Sequence, residues 1–193
     1  MADKIITYPT FEPITVDDAA EYLRVDDVVS DTALITALIT TARQAVEQYC
    51  NRYIAEQTIE SAFTDFPDVI KLSAPVQSVT SIKYLDINGA EQTLNSNQYL
   101  VDYYAQPVQI TPAYNVTYPE LYSVPNNVKV RFVAGYTTGD SPDTTPMPLP
   151  LRYGMLLIIG DLYANREAQS DKKYEINPTV QNLLYPYRLN IGL

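Results

Sequence analysis

A chain of 193 residues with 46% hydrophobic content is long enough to bury a sizeable core and too apolar to be a disordered segment. Its 13 Lys and Arg stand against 23 Asp and Glu, a net charge of −10, and the basic residues are scattered, which argues against a protein that grips nucleic acid through its phosphates. Histidine is absent and Cys50 is the lone cysteine, so the commonest general base and metal ligand near neutral pH is missing, no internal disulfide forms, and synthesis in a reducing cytoplasm is expected.

The opening "MADKIITYPT" lacks the charged-then-apolar order of a secretion signal. Thr15 followed by Val16, Asp17 and Asp18 reads as an N-cap with acidic residues at the positive end of a short helix ending near Val25. A longer helix is predicted from Ser30 or Asp31 to about Ile54. Its residues Leu34, Ile35, Leu38, Ile39, Ala42, Val46, Tyr49, Cys50 and Tyr53 recur at the spacing of one buried face. Arg43 and Glu47 sit one turn apart on it, and an exposed pair of that kind contributes about 0.2–0.5 kcal/mol. Cys50 lies on the apolar stripe, where it reads as a small buried hydrophobe and not as a nucleophile.

From Gln57 to Tyr136 the period changes to two. In "VKVRFVAGY", Val128, Val130, Phe132 and Ala134 alternate with Lys129, Arg131 and Val133, as in a half-buried strand. Asn88-Gly89 between two extended runs predicts a two-residue hairpin turn. Asp86, Asn88 and Glu91 lie close together there, but the rest of a twelve-residue calcium loop is missing. Between Gln98 and Asn127 no Lys or Arg occurs. Tyr103, Tyr104, Tyr114, Tyr118 and Tyr122 crowd in with Pro107, Pro112, Pro119 and Pro125. The prolines argue against central strands, and the tyrosines point to a contact surface, or less readily to a carbohydrate-stacking patch.

Residues 137–150 are a linker by composition, and Asp140 and Asp143 within it are too few to hold a cation. The apolar residues from Leu149 to Ile159 are broken by Pro150 and Arg152, short of the roughly 20 needed to span a bilayer. They read as a helix running to about Glu167, with Leu151, Met155, Ile158 and Leu162 in one row. Gly154 and Gly160 would admit another helix closely. Pro178 opens a final short helix that Pro186 stops near Leu184. Beyond it, Leu189, Ile191 and Leu193 alternate with Arg188, Asn190 and Gly192 like a strand, the pattern of a tail that finds its partner on assembly, with folding back on its own subunit as the other reading.

The expected fold is therefore α+β: a bundle of about four helices, two from each end of the chain, with an inserted β-sheet subdomain. Residues 1–56 would form the N-terminal helical section, 57–136 the β-rich insertion, and 137–193 the C-terminal helical section with its extended tail. The segments "ITVDDAAEYLRVD", "DTALITALITTARQAVEQYCNRYI", "LSAPVQSVTSIKYLDINGAEQTLNSNQYLVD", "VKVRFVAGY", "PLPLRYGMLLIIGDLYANREA" and "NPTVQNLLYPYRL" together resemble the head–tail connector (adaptor) proteins of tailed phages, in the longer form with a β-insertion. The resemblance covers nearly all the chain except residues 1–13 and the excursion 104–127.

That resemblance implies a structural virion protein of the neck, made in the host cytoplasm. It would form a ring of the portal's symmetry, twelvefold in the family, extending the DNA channel beneath the portal and offering a platform to the next neck or tail-completion protein. No enzymatic activity, cofactor or metal is expected, and DNA would pass through the lumen without sequence-specific binding. Arg43, Glu47, Arg152, Arg166 and Glu167 are the expected subunit contacts. Tyr187, Leu189, Ile191 and Leu193 would meet the portal, and the tyrosines 103, 104, 114, 118 and 122 a neighbour or the next neck component. Other readings are a monomeric binding module using those tyrosines, and a hydrolase using Asp17-Asp18 or Asp26-Asp27. Adjacent helical residues point about 100° apart, which disfavours the hydrolase.

Overall fold

The computed structural model describes residues 2–25, 28–137, 146–165 and 177–189. The chain forms two compact units. One gathers the N-terminal residues through Thr10 with Glu56–Gly135, and the other gathers Phe11–Ala55 with the C-terminal part from Tyr136.

In the helical unit, α1 (Val16–Leu23) starts where Thr15 predicts. The Thr15 hydroxyl accepts the Asp18 N–H at 3.1 Å, and the Asp18 carboxylate accepts the Thr15 N–H at 3.2 Å, so two orphan donors are satisfied reciprocally. Arg24, in the left-handed region at φ 57°, ends the helix. The long helix α2 (Val28–Cys50) begins earlier than expected and stops earlier too, because Asn51 turns left-handed at φ 51°. Its buried stripe is Ile35, Ile39, Ala42, Val46 and Cys50. Helix α3 (Leu149–Ala164) buries Leu151, Met155 and Ile159 in one row, while Ile158 and Leu162 are half-buried. Helix α4 (Pro178–Leu184) is capped by Asn177, whose side chain accepts the Thr179 N–H at 3.0 Å, and it runs into a single 3₁₀ turn at Tyr185–Tyr187. These four helices share one apolar cluster, with Ile14, Ile54 and Tyr136 filling its margins.

Among the described residues the other unit holds eight strands in two antiparallel sheets. The five-stranded sheet has the order β1 (Ala2–Thr7), β2 (Gln57–Phe63), β8 (Val128–Ala134), β4 (Val76–Leu85), β5 (Glu91–Thr93). Strand β8 is its centre, paired on both sides, and Val128, Val130, Phe132 and Ala134 are buried as the alternation predicts. The three-stranded sheet has the order β3 (Ile70–Leu72), β7 (Val108–Pro112), β6 (Tyr99–Asp102). Strand β7 thus lies inside the proline-rich excursion and is central to its sheet, which corrects the expectation drawn from the prolines. Pro107 stands just before β7 and Pro112 is its last residue, so neither breaks the ladder from within.

The hairpin from β4 to β5 is present, but its loop is one residue longer than expected. Asp86 and Ala90 still pair, with the Asp86 N–H donating to the Ala90 carbonyl at 3.0 Å, so Ile87, Asn88 and Gly89 form the loop. Gly89 adopts φ 78°, the left-handed position that closes a three-residue turn. The Asp86 carboxylate accepts the N–H groups of Asn88 and Ala90, at 2.9 and 3.1 Å, and is spent on the turn.

Candidate functional site

The residues expected at subunit contacts turn inward. Arg43 is 6% exposed. Its Nε donates to Glu12 at 2.7 Å and its Nη1 to Glu47 at 2.8 Å. Glu12 also accepts the Thr40 hydroxyl at 3.0 Å, and Glu47 accepts the Ile54 N–H at 2.9 Å. The pair predicted on helical spacing exists, but it clamps the start of the helical unit and the exit of α2 within one subunit. Burial pushes the Glu47 carboxyl above its usual range, against the Ile54 N–H and Arg43, which favour its charge. Arg152 is half-exposed and is likewise paired inside the subunit, its Nη2 lying 2.8 Å from the Asp18 carboxylate, so the start of α3 is tied to the cap of α1. Arg166 and Glu167 lie outside the described residues, as do Ile191 and Leu193.

The expected free tail is corrected as far as Leu189. Leu189 is 4% exposed. Its N–H donates to the Cys50 carbonyl at 2.8 Å, and its carbonyl accepts the Asn51 side chain at 3.2 Å. The carbonyl of Tyr187 accepts Arg52 Nε. The Leu189 N–H satisfies the last carbonyl of α2, and the side chains of Asn51 and Arg52 donate back to the segment after α4. Cys50 is buried beneath this layer and its thiol is pushed up to about 11, chiefly by that burial.

The tyrosines divide. Tyr104 and Tyr114 are 99% and 90% exposed, and Tyr103 and Tyr122 are about half exposed. Tyr118 turns in: its ring stacks on Phe66 at 4.3 Å and 11°, and Tyr84 meets the other ring edge-on at 5.6 Å. Its buried hydroxyl has no hydrogen-bond partner, and burial raises it above the usual tyrosine range. Tyr118 is therefore packing, not contact surface. Leu100, on the edge strand β6, is exposed beside Tyr103 and Tyr104.

The sequence reading missed β1. Within it Ile5 and Ile6 are exposed, and Tyr8 follows, also exposed. The β-branched run Ile5-Ile6-Thr7 was the available signal. Among the described residues no group of three or more Cys, Asp or Glu is placed to hold a metal, and no helix is long and apolar enough to cross a membrane.

What the molecule presents, then, is contact surface: exposed aromatic rings and open strand edges, with its charged clusters spent on holding each unit together. No curated protein matches the chain. Its fold is shared end to end with chains of gene transfer agent particles. A chain from the "Neck of empty GTA particle computed with C6 symmetry" aligns at a TM-score of 0.75 and 20% identity, covering 100% of this chain and 98% of that one. One from the "Virion of native gene transfer agent (GTA) particle" gives 0.75 and 21%, and one from the "Neck of native GTA particle computed with C12 symmetry" gives 0.72 and 21%, each with the same coverage. The family model for the phage gp6-like head-tail connector protein matches residues 13–112, which is 100 of the 193. The chain belongs to that family. It is a structural component of the virion, a connector at the junction of head and tail.

Proposed function

We propose that the chain assembles into a ring, twelvefold like the portal it sits beneath, which prolongs the DNA channel and carries the next neck or tail-completion protein. The observation that carries this reading is family membership over residues 13–112, and the end-to-end fold likeness to subunits of necks treated with sixfold and twelvefold symmetry supports it. A ring closes only when each subunit offers two different, complementary flanks. The exposed tyrosines 103, 104, 114 and 122 belong to the surface that meets a neighbour or the next neck component. Arg166 and Glu167 are proposed subunit contacts, and Ile191 and Leu193 contacts to the portal. Arg43 and Glu47 have no part in it, because their charges are satisfied within the subunit.

In this role the chain performs no catalysis and needs no cofactor. The net charge of −10 suits a channel that passes DNA without holding it. The test is to mix the purified chain with its portal protein and image the product by electron microscopy. Twelvefold rings stacked on the portal are expected. A chain that stays monomeric in the presence of portal overturns the reading.

A further inference from the structure

Among the described residues the five-stranded sheet ends in two open edges, with β1 bonded to β2 alone and β5 to β4 alone. Every residue from Asp3 to Thr7 is exposed, and so are Glu91, Gln92 and Thr93. An open edge is a template for another strand. The two edges also match in length. The register of β1 shifts between Ile5 and Thr7, so its regular outer edge is the short stretch before Ile6, opposite a β5 of three residues. They are complementary in character. β1 brings Lys4 and the exposed Ile5. β5 brings Glu91, and the hairpin loop leading into it brings the exposed Ile87. Glu91 already pairs with Lys83 at 2.8 Å, but both side chains are about half exposed, which leaves room for a second cation.

The direction of the strands decides what kind of contact these edges can make. All neighbours in the sheet are antiparallel and there are five of them, so β1 and β5 run the same way. Setting the β1 of one copy beside the β5 of the next makes a parallel pair. It leaves one edge open at each end for further copies. That is the head-to-tail contact a ring requires, whereas pairing β1 with β1 about a twofold axis would stop at two.

We propose that adjacent subunits of the ring are joined by β1 of one copy adding to β5 of the next, so that the sheet continues from subunit to subunit. The proposal rests on the ring reading above. Strands in one sheet lie about 4.8 Å apart, within the Cα separation a disulfide spans. The experiment places Ile5→Cys in the full-length chain together with Gln92→Cys, and separately with Thr93→Cys, because these two point to opposite faces. Native Cys50 is buried and does not compete. The protein is mixed with its portal protein and oxidised mildly, with light scattering recorded in parallel. A ladder of dimers, trimers and larger species from one double variant, absent from each single variant, is expected. Dimers from Ile5→Cys alone mean a twofold contact and overturn the proposal. Oligomers by light scattering without a ladder overturn the strand contact and leave the ring standing. Monomers throughout, without a ladder, overturn both.

Discussion

Arg43 is the residue on which the most depends. Its guanidinium lies between two carboxylates, and both Glu12 and Glu47 are themselves largely buried. Removing one member of such a cluster leaves unpaired charge in a poorly solvated place, so Arg43→Ala is expected to cost about 3 kcal/mol, well beyond the about 0.2–0.5 kcal/mol of an exposed helical pair. Urea unfolding of the two proteins measures it. Glu47 and Asp18 should respond to pH in opposite directions. Burial raises Glu47 above 4.5, so the folded state holds that proton more tightly than the unfolded chain does. Its favourable contribution is full below 4.5 and is lost as pH rises through the folded value. For Asp18, burial acts upward, but the hydrogen bonds from Thr15 and the ion pair with Arg152 outweigh it and hold the group below 3.8. Its contribution is present above 3.8 and is lost as pH falls through the folded value. Relative to Glu47→Gln the native protein should therefore lose stability as pH rises from 4.5. Relative to Asp18→Asn it should lose stability as pH drops below 3.8. Urea midpoints over a pH series, read as differences from each variant, test both slopes.

At the scale of elements, two glycines of α3 make a paired prediction. A Cβ on Gly154 would meet the side chain of Leu184 of α4 at 2.8 Å, and the buried Leu184 would have to shift. Overpacking of this kind costs about 1–3 kcal/mol, which outweighs the up to about 1 kcal/mol that alanine contributes within a helix. On Gly160 a Cβ would meet the ring of Tyr22 at 3.3 Å, and that ring is 41% exposed and able to yield. Gly154→Ala should lower the thermal midpoint while Gly160→Ala leaves it level or raises it. Periodicity made the helices legible because each buries one stripe: Ile35, Ile39, Ala42, Val46 and Cys50 follow directly from the spacing. The same was true of β8, whose two faces alternate cleanly. Strand β1 was illegible because it is exposed from Asp3 to Thr7, so no alternation marks it. The Arg43–Glu47 half of the clamp could be seen in the helical spacing. Glu12 could not, since it arrives from 31 residues upstream through tertiary folding alone. Tyr118 was grouped with its exposed neighbours because composition does not reveal which ring finds a Phe66 to stack on.

For the molecule as a whole, charge governs behaviour toward nucleic acid. A net −10 with few basic residues offers little of the counterion release that drives binding to phosphates. At roughly physiological salt, electrophoresis with duplex DNA should show no shifted band. Retention of the duplex would reveal a cationic face and overturn this expectation. The chain passes between its two units after Thr10, after Ala55 and after Gly135, so each unit is assembled from separated pieces of sequence.

That arrangement bears on how the chain matures while it is being made. The strands β2 and β4 are not bonded to each other; both are bonded to β8, the last strand to be synthesised among the described residues. Until residue 134 has left the ribosome, β1 with β2 and β4 with β5 exist only as separate two-stranded pieces, and isolated pairs of that size are marginal in water. The helical unit waits as well, since α1 and α2 need α3, which follows β8. Nascent chains of this protein therefore spend most of their synthesis with unfilled strand edges, and contacts far apart in sequence form late and slowly. The arrival of one seven-residue strand brings that vulnerable interval toward its end.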